Sequence, residues 1–114
     1  MAVCCSFINA IPGSVYEVEE LSSTITTSAT SILPNDSRRC AIVIHNHSGG
    51  VVDFGFTRSV FGNNGFFSID SGQGQLWSWD HHGPIVQRQW YAVRTSGSGN
   101  LIVTTTRCIR YGTP

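Results

Sequence analysis

The chain carries four histidines in two short clusters, and imidazole is the side chain most suited to binding transition metals. His45 and His47 stand two residues apart, so both can project from one face of a strand, whereas His81 and His82 are adjacent. Four imidazoles could hold zinc or copper if the two clusters met. However, the neighbouring Asn, Ser, Gly and Pro residues are typical of solvent-exposed turns. We therefore predict solvated turn histidines, no metal site and no cofactor.

The remaining polar residues do not form a recognisable catalytic pattern. Asp80 precedes a histidine, but the sequence has no Gly-x-Ser-x-Gly turn of the kind that presents a nucleophilic serine. The segment Gly72-Gln73-Gly74 is too short to cradle a phosphate group and opens no predicted helix. Asp53 and Asp70, like Asp80, fall near predicted turns. We predict no catalytic residue and do not expect an enzyme.

Four cysteines in a chain of this size could form two disulfides. Cys4 and Cys5 are adjacent, and Cys40 and Cys108 match no metal-ligand spacing. We favour reduced thiols in a protein made in a cytoplasm. Cys40 and Cys108 are then expected to serve as small apolar packing residues on strands.

Three tryptophans leave their role open. The segment Trp77-Ser78-Trp79 is expected to place two indoles on the same face of one strand, and Trp90 lies on the following long strand, predicted at 85–95. Indoles bring a large contact area at low entropy cost, which suits a protein interface or a sugar-stacking surface. They suit a hydrophobic core equally well. The sequence allows all three roles.

The composition describes one small domain with little charge. The chain has 114 residues and a mass of 12.4 kDa, which is typical of a single domain. Seven arginines balance seven acidic residues and there is no lysine, so no basic face exists for phosphate-driven nucleic-acid binding. Charged residues make up 12%, about half the usual share of ~25%. Because a surface of low charge tends to associate, we expect a chain that is normally in contact with other protein.

The elements that must position these residues are β-strands. Helical periodicity is nearly absent, and turn residues recur at the spacing of a sandwich or barrel. We expect an antiparallel β-sandwich, jelly-roll-like, in residues 22–114. The segment 39–46 is apolar on both faces and predicts a central strand covered on both sides, whereas 51–56 alternates and predicts a half-buried strand. Two hairpins are predicted, through 47–50 and through 96–100. Shorter strands are expected at 66–69 and 75–79, with longer ones at 85–95 and 101–107.

Residues 1–21 differ from the rest of the chain. Pro12-Gly13 divides them, and three acids lie at Glu17, Glu19 and Glu20. The apolar start has no basic region, so it fits a secretory signal poorly, and no run reaches the ~18 apolar residues of a membrane span. We expect either an extended arm that orders on a neighbouring subunit or an ordinary edge strand.

Several short motifs follow one another in a characteristic order. They are a Leu-Pro-Asn-Asp corner at 33–36, the apolar strand 41–46 ending in Asn, Gly83-Pro84-Ile85-Val86, Trp90-Tyr91-Ala92-Val93 and Asn100-Leu101-Ile102-Val103. This order resembles that of the small β-sandwich virion proteins of tailed bacteriophages. The resemblance covers residues 22–106, and the residues before 21 have no counterpart in that pattern. The sequence departs from it at Trp77-Ser78-Trp79 and at His81-His82.

The resemblance implies a capsid cement or decoration protein on the outer surface of a virion. Its partners would be the major capsid protein and copies of itself, with a trimer favoured, and neither nucleic acid nor membrane is expected. The alternative is a tail- or fibre-borne module that binds a carbohydrate or receptor through its tryptophans, with Asp80 and His81 as polar partners. We expect interface residues among Phe7, Ile8, Ile11, Tyr16, Arg58, Phe61, Phe66, Trp77, Trp79 and Trp90.

Overall fold

A computed structural model describes residues 12–60 and 65–110, which form eight antiparallel strands and two short helical turns. Aliphatic, aromatic and threonine residues dominate the strands, because such side chains pack well on a pleated surface. Gly, Pro, Asn and Asp residues lie between them. The elements are β1 (Val15–Ile25), β2 (Thr30–Leu33), β3 (Arg39–His47), β4 (Val52–Gly55), β5 (Phe67–Ile69), β6 (Gly74–Ser78), α1 (Trp79–His82), a 3-10 helix (Gly83–Gln87), β7 (Trp90–Arg94) and β8 (Gly99–Arg110).

The strands form two four-stranded sheets that pack face to face. Sheet A has the order β1-β8-β3-β6, and sheet B has the order β2-β7-β4-β5. Consecutive strands therefore alternate between the sheets, apart from the hairpin between β4 and β5. This is the arrangement of an eight-stranded jelly roll. It confirms the all-β sandwich predicted from the sequence.

The core lies between the sheets and is made by alternate residues of each strand. Ile42 and Ile44 of β3 face Val52 and Phe54 of β4 across the gap, and all four are fully buried. Sheet B contributes the largest buried side chain, Trp90. A strand with one face in this layer alternates between buried and exposed residues. β3 does so from Ile42 to His47.

The two predicted hairpins are wrong, because each turn joins strands of different sheets. The turn after β3 leads from sheet A to sheet B, and the turn after β7 leads back to sheet A. The two turns cross in contact, since Arg94 Nη1 donates to the Ser48 carbonyl at 2.7 Å. Hairpins and crossing turns use the same Gly, Ser and Asn residues, so local sequence does not distinguish them.

The predicted coverage of two strands also needs correction. β3 is central in sheet A, as expected, but it is covered on one face only, and Val43 is 43% exposed on the other. β4 was expected to be half-buried, yet all its residues are buried, including Asp53. The cause is the segment that follows β4, which folds back so that Val60 packs with Tyr91 on the outside of sheet B. Gly55 lacks a side chain where Val60 lies.

Two of the other predicted strands have different bounds, because a helical turn replaces one end of each. β6 ends at Ser78, and α1 begins at Trp79. The predicted strand 85–95 begins only at Trp90, because Pro84 sits at the start of the 3-10 helix. Residues 15–21 lie in β1, which pairs with β8 at the edge of sheet A. The expected boundary at 21–22 therefore falls inside a strand, and residues 1–11 lie outside the described residues.

Candidate functional site

Two cysteines form a small cluster separate from the main core. Cys40 is 0% and Cys108 is 3% exposed, and both pack with the partly buried rings of Tyr16 and Trp79. Their predicted burial is confirmed. Their predicted redox state is wrong, because both are disulfide-bonded, and none of the cysteines in the described residues is a free thiol. Cys4 and Cys5 lie outside the described residues.

Irregular pairing at one end of sheet A brings the two cysteines together. Between Arg39 and Ala41 the register of β3 on β8 shifts, so that Cys40 is the extra residue of a β-bulge. A second shift lies at the start of β1, where Tyr16 pairs with Cys108. The Cys108 amide donates to the Arg38 carbonyl at 2.8 Å. Bulges re-aim side chains, and here they produce a cysteine cluster without disturbing the core alternation that begins at Ile42.

The indoles of Trp77 and Trp79 do not share one strand face, contrary to the prediction. Trp77 begins the buried part of β6 and points into the core, at 6% exposure. Trp79 begins α1, so the helical turn directs it to the cysteine cluster instead. The turn is fixed by histidines that reach back to its first residues. His81 Nδ1 lies 3.0 Å from Ser78 Oγ, and the Ser78 amide donates to His82 Nδ1 at 3.1 Å.

Trp90 and Trp77 are core residues, which decides between the roles that the sequence left open. Trp90 is fully buried, and its Nε1 donates to the Ile85 carbonyl at 2.9 Å. Its ring centroid lies 5.0 Å from that of Trp77 in an edge-to-face arrangement. Neither indole offers a surface for stacking a sugar. The carbohydrate-binding hypothesis therefore loses two of its three tryptophans.

Phe66 and Arg58 are the predicted interface residues that lie on the surface. Phe66 is 46% exposed and stacks on Phe56, and the Arg88 guanidinium lies over the Phe56 ring, 4.7 Å from its centroid. These residues line an open depression of about 310 Å³ beside β4. Arg58 is exposed, and a hydrogen bond with the Tyr91 hydroxyl raises the pKa of its guanidinium. Of the remaining predicted residues, Phe7, Ile8, Ile11 and Phe61 lie outside the described residues.

The outer face of sheet A is the broad surface that sequence reasoning missed. Val43 of β3 and Leu76 of β6 are cross-strand partners on it, 43% and 55% exposed. Val18 of β1 is 68% exposed. Threonines of β8 lie between these strands, and Glu20 is the cross-strand partner of one of them, Thr104. The alternation of residue types over 42–47 indicates one exposed face of β3. Because Val43 is apolar, however, the sequence predicts that this face is buried as well.

The histidines remain in two separate pairs. His45 Nδ1 and His47 Nε2 are 2.6 Å apart at one end of the β3–β6 pairing, whereas His81 and His82 follow Ser78 at the other end. Four imidazoles therefore do not meet. Within 12–60 and 65–110, no three residues among His, Cys, Asp and Glu come together as a potential metal site. The acids considered for catalysis are also dispersed, over β4, the turn after β5 and α1.

Arg39 holds the corner that supports the cysteine cluster. Its guanidinium is buried and donates to three backbone carbonyls, those of Pro34 at 2.6 Å, Val86 at 3.2 Å and Arg88 at 3.1 Å. Burial lowers the pKa of this guanidinium below its usual range, and the nearby Asp36 carboxylate opposes that effect. The side chain thus ties β3 to the segments that precede β3 and β7.

Comparisons with known proteins show a similarity in fold to a solved structure and no similarity in sequence to a known family. No protein-family model matches the sequence, and no curated protein matches it. Among solved structures, the chain is similar to a protein of the Bacillus endospore appendages, which form a novel family of disulfide-linked pili. The TM-score is 0.51 at 12% identity, over 85% of this chain and 89% of the other. No helix among the described residues is long and apolar enough to cross a membrane.

Proposed function

We propose that this chain is a structural subunit that polymerises through disulfide bonds between copies of itself. The observation that carries the proposal is the buried cluster of Cys40 and Cys108, both of which are disulfide-bonded. Two of the four cysteines lie in this cluster, and the other two are adjacent at positions 4 and 5. One pair can therefore complement the other in a neighbouring subunit.

The fold supports this proposal. The similar solved structure belongs to appendages described as disulfide-linked pili, and the likeness spans most of both chains. A jelly roll suits a fibre subunit, because each of its sheets ends in edge strands that can contact a neighbour. Among residues 12–60 and 65–110, the long strand β1 of sheet A pairs on one side only, with β8. This strand carries three acidic residues, Glu17, Glu19 and Glu20. Their negative charges would restrict which partner strand can pair with this edge.

In the proposed linkage, which forms from reduced chains, Cys4 and Cys5 of one subunit bond to Cys40 and Cys108 of the next. These bonds replace the disulfides that Cys40 and Cys108 make in the single chain. Each bond joins two sulfurs, releases two protons and passes two electrons to an oxidant, either dioxygen or the disulfide of a thiol oxidoreductase. The aromatic rings of Tyr16 and Trp79 shield the Cys40–Cys108 cluster from solvent. Shielded disulfides resist exchange with small thiols, so the polymer would persist under mild reduction.

The surface supports assembly of this kind. Only 12% of the residues are charged, and the outer face of sheet A exposes Val43 and Leu76 side by side. Burying apolar surface of this type between copies contributes about 25 cal/mol per Å² before the costs of association. The covalent links then make reversible contacts permanent.

The test is to oxidise an equal mixture of unlabelled and ¹⁵N-labelled protein and to map its disulfides by mass spectrometry. We expect a ladder on non-reducing gels, and mixed-isotope peptides that join the Cys4-Cys5 segment to Cys40 or Cys108. The double variant Cys4→Ser/Cys5→Ser should lose the ladder, and the matched control Ser6→Ala should keep it. A single band with disulfide peptides of one isotope only would overturn the proposal.

The capsid-cement function implied by the sequence resemblance is the second candidate. The low-charge outer face of sheet A, with Val43 and Leu76, would suit a preformed shell as well as a second copy. A cement protein binds in many copies to a shell and gains avidity from symmetry, but it needs the shell to do so. Isolated protein that stays monomeric after oxidation and then binds virus particles in large numbers would favour this candidate.

A further inference from the structure

We propose that His45 and His47 form a bidentate binding site for a divalent transition-metal ion, with Cu²⁺ as the preferred ion. Both side chains are exposed on the outer face of sheet A. Residues two apart on a strand have Cα atoms about 6.7 Å apart and point the same way, so two imidazoles can converge on one ion. This inference concerns a single chain and does not depend on polymerisation.

The two ring nitrogens lie close enough together to share one ion. His45 Nδ1 and His47 Nε2 lie 2.6 Å apart, with the ring planes at 87°. Two nitrogens at about 2.0 Å from a metal are ~2.8 Å apart when they subtend a right angle and ~3.3 Å apart at a tetrahedral angle. The observed spacing is closer to the right angle. Adjacent positions of a tetragonal ion, Cu²⁺ or Ni²⁺, fit better than a tetrahedral Zn²⁺.

The surroundings favour a metal over a competing ion pair. The cross-strand partners of His45 are Gly74 and Ile102, and that of His47 is Asn100, so no carboxylate stands in these positions. In the absence of metal one ring donates to the other at 2.6 Å. To bind the ion, the donating ring takes its other tautomer, and both facing nitrogens then present lone pairs without loss of a proton to solvent.

Gly74 leaves the space in which the His45 ring lies. A Cβ at this position would come within 3.1 Å of His45 Cδ2 and 3.3 Å of the Ile44 carbonyl. The ring would have to turn away from that contact, which would change the separation of the two nitrogens. Gly74 is therefore a positioning residue for the site. With two protein ligands, the ion would complete its coordination with water.

Titration of the oxidised protein with Cu²⁺, followed by calorimetry and electron paramagnetic resonance, tests the proposal. We expect one ion per chain with two equatorial imidazole nitrogens. His45→Ala or His47→Ala should weaken binding by about tenfold or more, because even outer-shell changes at metal sites typically cost 10–100-fold. The exposed control His81→Ala should change it by less than about twofold, and Gly74→Ala should weaken it by an intermediate factor. Equal affinity in wild type and His45→Ala, or a spectrum without paired imidazoles, would overturn the proposal.

Discussion

At the residue scale, one buried charge accounts for the conformation of a whole corner. Arg39 lies at the start of β3, and the sequence gives it no feature that distinguishes it from its exposed neighbour Arg38. Its guanidinium satisfies three carbonyls that would otherwise be buried without donors. A buried arginine is tolerated when its donors are used in this way, even though burial lowers its pKa.

Replacement of this residue tests that account. Arg39→Met keeps the apolar stem and removes every donor, so the free energy of unfolding should fall by about 3 kcal/mol as the carbonyls lose their partners. Urea denaturation measures the change. The exposed Arg58→Met serves as the control and should lower the midpoint much less, because it removes one hydrogen bond, that with the Tyr91 hydroxyl. Equal midpoints for the two variants would contradict the role assigned to Arg39.

The burial of single residues could be predicted from the sequence where it follows from the residue type. The burial of Cys40 and Cys108 follows from their small apolar side chains. The prediction of residue environment failed for Trp79. A helical turn begins directly after Ser78, so Trp79 points away from the side of the strand on which Trp77 lies, and the sequence shows no clear signal for that turn. The redox state of the cysteines depends on which sulfurs meet in space, and the sequence places no two of them close together except Cys4 and Cys5.

At the scale of elements, the crossing of two turns determines how the sheets are joined. The turn after β3 and the turn before β8 lie in contact, and Gly99 approaches the backbone of Ser48 so closely that a Cβ there would overlap its carbonyl. This contact fixes the position at which β8 enters sheet A. The glycine is required for close approach of two backbones, since no value of φ there demands it.

A methyl group at this position should therefore disturb the packing of the sheets. Gly99→Ala is expected to lower the free energy of unfolding by about 2–3 kcal/mol, because rigid backbone on both sides prevents relief of the overlap. Thermal unfolding followed by circular dichroism provides the measurement. Ser98→Ala, one residue earlier and exposed, is the matched control and should unfold at the wild-type temperature. A native-like midpoint for Gly99→Ala would refute the crossing as a rigid contact.

The elements themselves were largely predictable, and their partners were not. Alternating and β-branched segments located the strands, because those patterns are local. Sheet membership of β4 and β8 depends on contacts between turns, and the full burial of Asp53 depends on Val60 folding back over sheet B. Such contacts join residues distant in sequence. Local patterns therefore assign the strand and leave its neighbour open.

At the scale of the whole molecule, the disulfides fasten one end of sheet A. Cys40 and Cys108 belong to β3 and β8, which are adjacent strands in the middle of that sheet. A constraint on these strands limits the unfolded chain more than the folded one. The candidate assembly site is therefore also a stabilising feature of the subunit.

Reduction of the disulfides should expose this contribution. With a phosphine reductant present, the free energy of unfolding of the monomer is expected to fall by about 2–5 kcal/mol, the usual cost of losing a native disulfide in a small domain. Parallel urea titrations with and without reductant give the value. The variant Cys40→Ser/Cys108→Ser should show no response to reductant. An unchanged midpoint for wild-type protein would contradict a stabilising disulfide.

The pairing of β1 with β8 also has a consequence for folding kinetics. β8 is the last of the described strands, yet it lies between β1 and β3 and pairs with both. During synthesis β1 therefore lacks this partner until β8 has been made. Contacts between the two ends of a sequence are the slowest to form. Sheet A is thus expected to be completed only after β8 has been made, so that no earlier intermediate contains the whole sheet.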